Sequence, residues 1–422
     1  MIGAIADDFT GATDVAVAFR RAGLRTVVLF GLPSGDLDLP EHDAVVVGLK
    51  TRTIPTADAV DQSLAAADWL ETHGARQFYF KYCSTFDSRP DGNIGPVADA
   101  LAERFAAGLV AMVPASPEHG RTQYLGYLFV GPVLLSESPM RHHPLTPMTD
   151  SFIPRVLEPQ TSGSVGLIAH DVVRRGPYAV AAELARHADI GDRYAVIDAI
   201  EAADLVAIGG AVVDHVLIGG GAGLAGGLGR ALAAAGRAVP ETLAPDPVGQ
   251  VPAVVLAGSC SYRTLEQVAV MLSSHDSYFL DAAGVPDAAE LARRALAWYD
   301  SAERSTPPLI YSSVPPQQLR RVQDELGVDA ASRILEDAAG RIATGLVARG
   351  VRRLVVAGGE TSGAVVGALG ATGGVIGAEA APGVPWIYTP DGLALLLKSG
   401  NFGDPELLVR AVSIPSDQEV RA

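Results

Sequence analysis

Two adjacent carboxylates, Asp7 and Asp8, close the apolar run that begins the chain and precede Thr10 and Gly11 in the order ADDFTG. Paired carboxylates between a strand and a helix need a hydroxyl, a cation or a metal to neutralise them, and they are groups that can accept a proton. Capping of the helix by Asp8 or Thr10 is the structural alternative. Two loops in the C-terminal half have the composition of anion cradles: AGSCS, from Ala257 to Ser261, and AGGETSG, from Ala357 to Gly363. Backbone N–H groups near Gly358, Gly359, Glu360 and Thr361, with the hydroxyls of Ser259, Ser261 and Ser362, can hold phosphates without a Walker lysine. A third loop, LKSGNFG, adds Lys398, Gly400 and Gly403.

Lysine is scarce. Of 32 cationic residues only Lys50, Lys81 and Lys398 are lysine, in the contexts GLKTR, KYCSTFDS and LKSGNFG. Arginine supplies generic positive charge elsewhere, and a compact ammonium fits beside a phosphoryl group or small hydroxy acid where a planar guanidinium does not. Each lysine falls at the end of an expected strand.

The elements that must position these groups are legible from periodicity. Short β-branched runs followed by Gly, Ser or Asp and then an Ala/Leu segment repeat along the chain, the alternation that builds parallel sheets covered by helices. Strands are expected at Ile2–Ala6, Val27–Phe30, Ala44–Gly48, Gln77–Phe80, Leu109–Val113, Val165–Ala169, Tyr194–Asp198 and His215–Gly219, with a hairpin of Leu125–Val130 and Val133–Ser136 across Gly131-Pro132. Further strand–loop–helix units start at Ala253, Ser277, Leu309 and Leu354, and Leu393–Lys398 is the final strand. Between Arg237 and Pro252 four prolines interrupt all periodicity, so the linker is placed at 237–252. The expected fold is α/β with two domains, 1–236 and 253–422, each a mostly parallel sheet flanked by helices, the active site lying in the cleft between them.

Composition excludes several classes of function. At 422 residues, 48% apolar and 19% charged, the chain has enough material for two cores and is not disordered. A net charge of −16 repels nucleic acid and anionic membranes, so neither is expected as a partner, while a homo-oligomer is left open. The start, MIGAIADDF, lacks a basic n-region, and Cys83 and Cys260 lack CxxC or metal-ligand spacing; both suit the cytoplasm. Two motifs mislead. Gly221-Ala222-Gly223-Leu224-Ala225-Gly226 matches GxGxxG, but no second strand ending in an acidic residue follows at dinucleotide-binding distance. Lys398-Ser399 imitates the end of a Walker A motif, with Leu397 where glycine belongs.

Together IADDFTGATD, GLKTRTIP, KYCSTFDS with GNIGPV, RHHPLTPMTDS, GGETSGAVV and LKSGNFG resemble the four-carbon acid sugar kinase family from end to end. The resemblance implies an N-terminal domain for the sugar acid, a C-terminal domain for ATP, and use of Mg2+ with metal ligands unassigned. It is closest to the branch that phosphorylates 3-oxo-tetronates at the 4-hydroxyl; threonate or erythronate kinases, or a non-catalytic or NAD-binding two-domain protein, are the alternatives. By motif it implies ATP contacts at Ser259, at Gly358 through Ser362 and at Gly403, and substrate contacts at the Asp7-Asp8 loop, Lys50, Lys81, Ser84 and Asp150, with Thr10 and Asp87 in the same motifs. For a kinase, Asp8 is the first candidate to accept the hydroxyl proton, then Asp7 and Asp150. Arg121 and Arg155 are candidates to pair with the substrate carboxylate. Ala222, Tyr127, Arg89 and Ala381 depart from the family pattern and bear on substrate choice rather than on fold.

Overall fold

The computed structural model describes all residues except 34, 36, 38, 143–145, 238–247, 250, 302–305, 399 and 414–422, so most of the expected linker lies outside the described residues. Met1–Thr242 and Leu243–Ala422 form two compact units.

The strands of the first unit are β1 (Ile2–Ala6), β2 (Thr26–Phe30), β3 (Ala44–Gly48), β4 (Gln77–Lys81), β5 (Val110–Val113), β6 (Arg121–Tyr124), β7 (Tyr127–Val130), β8 (Val133–Leu134), β9 (Val165–Ile168), β10 (Tyr194–Ile197) and β11 (Leu217–Gly220). Eight of them make a parallel sheet in the order β2-β3-β1-β4-β11-β5-β10-β9. Every residue of β1, β3 and β4 is buried, as strands covered on both faces require. The parallel order brings the ends of β1, β3, β4, β5 and β11 to one edge, where ligands bind in open α/β sheets.

The Phe9–Arg21 helix shows how local sequence sets this edge. Asp8 is extended at φ −151° and its side chain accepts from the Gly11 N–H, the arrangement of an N-cap. Ala12, Val15, Ala16 and Phe19 recur at helical spacing and are wholly buried, and Gly23 at φ +93° takes the chain out. Phe19 meets Tyr79 of β4 edge to face at 6.0 Å.

The expected hairpin is part of a separate antiparallel sheet, β6-β7-β8. β6 escapes the sequence pattern because RTQY has no apolar alternation. The turn between β6 and β7 places Leu125 at φ +49° and Gly126 at φ +77°. Asp198, fully buried at the end of β10, accepts from the N–H groups of Leu125 (2.6 Å), Gly126 (2.9 Å) and His170 (3.1 Å) and from Gln123 (3.1 Å). That carboxylate fastens the small sheet, and Arg121 at its start, to the parallel sheet.

The GxGxxG segment runs from Gly221 into the Ala222–Ala234 helix. A Cβ at Gly223 would lie 2.8 Å from the Ala115 carbonyl, and one at Gly227 2.1 Å from that of Leu205. These glycines let backbones pack closely.

The second unit holds β12 (Ala253–Ala257), β13 (Ser277–Phe279), β14 (Leu309–Tyr311), β15 (Arg353–Ala357), β16 (Gly373–Ala381), β17 (Val384–Tyr388) and β18 (Ala394–Lys398). Their order is β13-β14-β12-β15-β18-β17-β16, parallel except for the antiparallel pairs of β17 with β18 and with β16. β12, β15 and β18 end side by side at the three glycine-rich loops. No described helix is long and apolar enough to cross a membrane.

Candidate active site

At the carboxyl edge of the first sheet, Arg52 gathers the acidic loop. Its guanidinium donates to both carboxylate oxygens of Asp7 at 2.8 Å, lies 2.9 Å from Asp8 and 3.8 Å from Asp87. Asp8 also accepts from Gly11 N–H at 2.9 Å and from the Thr10 hydroxyl at 2.7 Å. Burial pushes the Asp8 carboxyl up, but Arg52, Lys81 and these hydrogen bonds outweigh it and hold the group below its ordinary range. The Arg52 loop is itself fixed, because buried Asn93 donates to the carbonyls of Thr51 (2.8 Å) and Ile54 (2.9 Å).

Lys81, the last residue of β4, is only 4% exposed. Its ammonium makes no hydrogen bond or ion pair among the described residues. It lies beside Gly11, where an added Cβ would sit 2.7 Å from Nζ. Arg121 contributes a second cation: one nitrogen donates to the His119 carbonyl, while its buried Nε has no hydrogen-bond partner among the described residues. His119, hydrogen-bonded to Ser116, is held below its usual pKa by burial and by Arg121. The Cys83–Ser88 loop that follows Lys81 turns through Phe86, buried and at φ +51°, a strained value for a non-glycine residue. Asp87 accepts from Thr85 at 2.5 Å, and Ser84 lies against Gly221. The Cys83 thiol is pushed up to about 11 by burial and by Asp87.

Asp14 is the group that motif reading passed over. It lies three residues after Gly11, hence on the same helical face as the Lys81 ammonium. Half-buried, it makes no hydrogen bond among the described residues, and burial raises its carboxyl to about 7 against the pull of Lys81, Arg52 and Arg121. The helical period counted from Gly11 was the available signal. Arg52 carries no signal in the sequence that sets it apart from the chain's other arginines, whereas Lys50, two positions earlier, is exposed and stands over the Phe9 ring at 5.1 Å.

Asp150 and Arg155, expected at the substrate, bind each other bidentately at 2.5 and 2.9 Å. Arg155 holds the Asp150 carboxyl below its ordinary range, and Arg155 also stacks on Phe152. Neither side chain hydrogen-bonds to the Asp7-Asp8 cluster. Of the departures from the family pattern, Tyr127 packs on Phe152 at 5.1 Å, Arg89 pairs with exposed Asp91, and Ala222 and Ala381 are buried.

In the second unit the Gly359–Leu369 helix begins at Gly358, which is at φ +135° and supplies no side-chain cap. The first-turn N–H groups therefore remain available to a ligand. The Ser362 hydroxyl is 1% exposed and has no hydrogen-bond partner among the described residues. A Cβ at Gly258 would lie 2.2 Å from the Thr361 hydroxyl, and one at Gly400 would lie 2.9 Å from that of Ser259. A cleft of about 370 Å³ opens here: Gly258, Ser259, Gly358 and Thr361 line one part, Val322 and Leu335 another. The polar end suits phosphates and the apolar part a purine. Glu360, exposed in the first turn, and Asp281 border the same cleft.

Lys398 differs from expectation. It is 0% exposed and donates to the Thr264 hydroxyl at 3.0 Å and the Gly400 carbonyl at 2.8 Å; burial lowers it to about 8. It braces the Gly400 turn, joined by Ser261, which caps the Tyr262–Leu272 helix and donates to Gly400 at 2.6 Å. Gly403, at φ +79°, has Leu407 where a Cβ would go and closes the loop.

Gly358→Ala is expected to weaken binding of a phosphate-bearing ligand at this loop at least tenfold, because a Cβ there meets the Ser259 backbone nitrogen at 3.0 Å in a conformation that disfavours L residues. Titration with a nucleoside triphosphate and a melting curve check this; unchanged affinity in a folded variant counts against the cradle.

Residues 2–228 match the family model of a sugar-binding N-terminal domain, and 254–408 that of a nucleotide-binding C-terminal domain. The chain is 48% identical over 419 residues to a 3-oxo-tetronate kinase of Cupriavidus necator, covering 98% of this chain and 96% of that one. It is 44% identical over 417 residues to a 3-oxo-tetronate kinase of Salmonella typhimurium, covering 97% and 98%. Among solved structures, a Salmonella typhimurium LT2 protein described as a tRNA synthase superposes with a TM-score of 0.90 at 43% identity over 97% of this chain and 98% of its own. Haemophilus influenzae protein HI1011 gives 0.83 at 40% identity, with the same coverage.

Proposed function

We propose, from the premise that this chain belongs to the four-carbon acid sugar kinase family, that it transfers the γ-phosphoryl group of ATP to the 4-hydroxyl of a 3-oxo-tetronate in the cytoplasm. The observation that carries the reading is the Lys81 ammonium, nine-tenths buried and without a hydrogen bond among the described residues, in a chain whose net charge is −16. Such a cation is retained where an anion completes it. With Arg121 it would bind the carboxylate of the acid, while the Asp7-Asp8 loop, fixed by Arg52, orients the carbon chain.

The second unit would hold the nucleotide. The uncapped turn at Gly358 and the unpartnered Ser362 hydroxyl fit phosphate oxygens. No cluster of three His, Cys, Asp or Glu forms a metal cage among the described residues. Mg2+ needs none, since it is usually held by one or two carboxylates together with substrate phosphates, and Glu360 or Asp281 would serve. Bound there, it would supply charge neutralisation, which with in-line positioning makes up most of phosphoryl-transfer catalysis.

A coupled ADP-release assay over tetronates, 3-oxo-tetronates and a pentonate, with phosphorus NMR of the product, tests the assignment. The highest kcat/KM is expected for a 3-oxo-tetronate, phosphorylated at O4. Turnover of none of these acids, or binding of NADH without affinity for ATP, would remove the kinase reading.

A further inference from the structure

We infer that Asp14 is the group that accepts the proton of the substrate hydroxyl as the phosphoryl group is transferred. The inference rests on the kinase reading above. In that step the hydroxyl oxygen forms a bond to the γ-phosphorus, the bond from γ-phosphorus to the β,γ-bridging oxygen breaks, and ADP leaves with its electron pair. The hydroxyl proton passes to an Asp14 carboxylate oxygen and is released to solvent with the product.

Geometry separates Asp14 from the other carboxylates of the edge. Both oxygens of Asp7 are taken by Arg52. Asp8 is the helix cap and is shared among Gly11, Thr10 and Arg52, so its acceptor sites are committed and its basicity is reduced. Asp87 is buried and accepts from Thr85, and Asp150 is closed in a bidentate pair with Arg155. Asp14 alone of this set has a carboxylate that is half-exposed and unengaged among the described residues, on the face that Lys81 approaches. A base must first be within reach of the proton and then have a pKa near the working pH. The anion-binding cation and the free carboxylate therefore stand side by side, one for the acid group of the substrate and one for its hydroxyl.

The charges around Asp14 come from several elements. Asp8 lies six residues earlier, at the N-cap of the same helix; Lys81 enters from β4, Arg52 from the loop after β3 and Arg121 from β6. His119 adjoins Arg121, the Arg21–Glu118 pair lies further along the helix, and Arg230 of the packed Ala222–Ala234 helix reaches the side of Gly226 facing Ala18. Burial raises the Asp14 carboxyl and Asp8 adds to the rise, while the three cations oppose it, leaving it at about 7. A base with that pKa is active when deprotonated, so kcat/KM should fall as pH drops below about 7.

The test is Asp14→Asn and Asp14→Glu in the full-length enzyme, with kcat, both KM values, the pH profile from 5 to 9 and a melting curve. The expected result for Asp14→Asn is a kcat reduced 10²- to 10⁴-fold, KM values within threefold of wild type, and no acid limb near pH 7. Asp14→Glu should recover part of kcat and keep a limb. An Asp14→Asn enzyme with kcat within threefold of wild type and the same limb overturns the assignment and leaves the kinase reading standing. So does a raised sugar-acid KM at unchanged kcat. Should Asp14→Asn fail to fold, the wild-type profile decides, since the absence of any acid limb between pH 6 and 8 overturns the base. An inactive wild type removes the kinase reading and the base together.

Discussion

Lys81→Met is expected to lower turnover of the sugar acid at least a hundredfold, about 2.7 kcal/mol on the barrier, with the ATP KM unchanged. The side chain is 4% exposed and no protein group hydrogen-bonds its ammonium among the described residues, so binding loses the charge while packing keeps an isosteric stem. Replacing a buried ion by an apolar group of similar volume is often neutral or stabilising, and Asp8 keeps Arg52 as partner, so the melting temperature should change little. The pH response has a definite sign. Lys81 pulls down the carboxyls of Asp8 and Asp14, so its removal moves the acid limb to higher pH. Lys81→Arg should cost at least tenfold, mainly in sugar-acid KM, because Gly11 leaves no room beside the ammonium for a planar guanidinium. Wild-type kinetics in Lys81→Met would remove the ammonium from the site.

Arg52→Ala should have the largest effect on stability, a loss of about 3–5 kcal/mol, because it strips its partner from the 5%-exposed Asp7 and from Asp8 at once. The loss also depends on pH. The Asp8 carboxyl is lowered in the folded protein, so its contribution is present above the unfolded value of 3.8 and disappears as pH falls through the folded value. Without Arg52 that folded value rises, and acid unfolding of the variant should begin at higher pH than in wild type. Melting temperatures from pH 3 to 8 report both effects. Parallel wild-type and variant curves lying within about 2 °C of each other would show that the cluster does not hold the edge together.

The parallel strands of the two sheets were legible because buried strands carry their own signature: AVVVG, TVVLF and AVVLA are continuous β-branched or aliphatic runs, and each proved to be a buried strand. β16 was not legible. Its sequence GGVIGAEAA reads as a glycine-broken coil, yet Gly374 and Gly377 are required because Cβ atoms there would lie 2.3 Å from the Tyr388 carbonyl and 2.2 Å from the Tyr388 ring. Close approach, which glycine permits, is invisible until the partner strand is in place. The same holds at the site. Residue types picked out Asp8, Lys81 and the Gly358 loop, whereas the pairing of Asp7 with Arg52, the engagement of Asp150 by Arg155 and the burial of Lys398 depend on contacts between segments distant in sequence.

The same scarcity of lysine has a practical side. Lys398 is sealed and Lys81 nearly so, which leaves Lys50 as the lysine that an acylating dye can reach in the folded chain. Lys50 stands over Phe9, the residue that follows Asp8, so a fluorophore attached there sits at the rim of the acidic loop. The unmodified sequence thus carries its own attachment point for an optical reporter of ligand arrival. Complete unfolding would add Lys81 and Lys398 to the labelled set, so the number of dyes bound per chain also counts the fraction that has lost its fold.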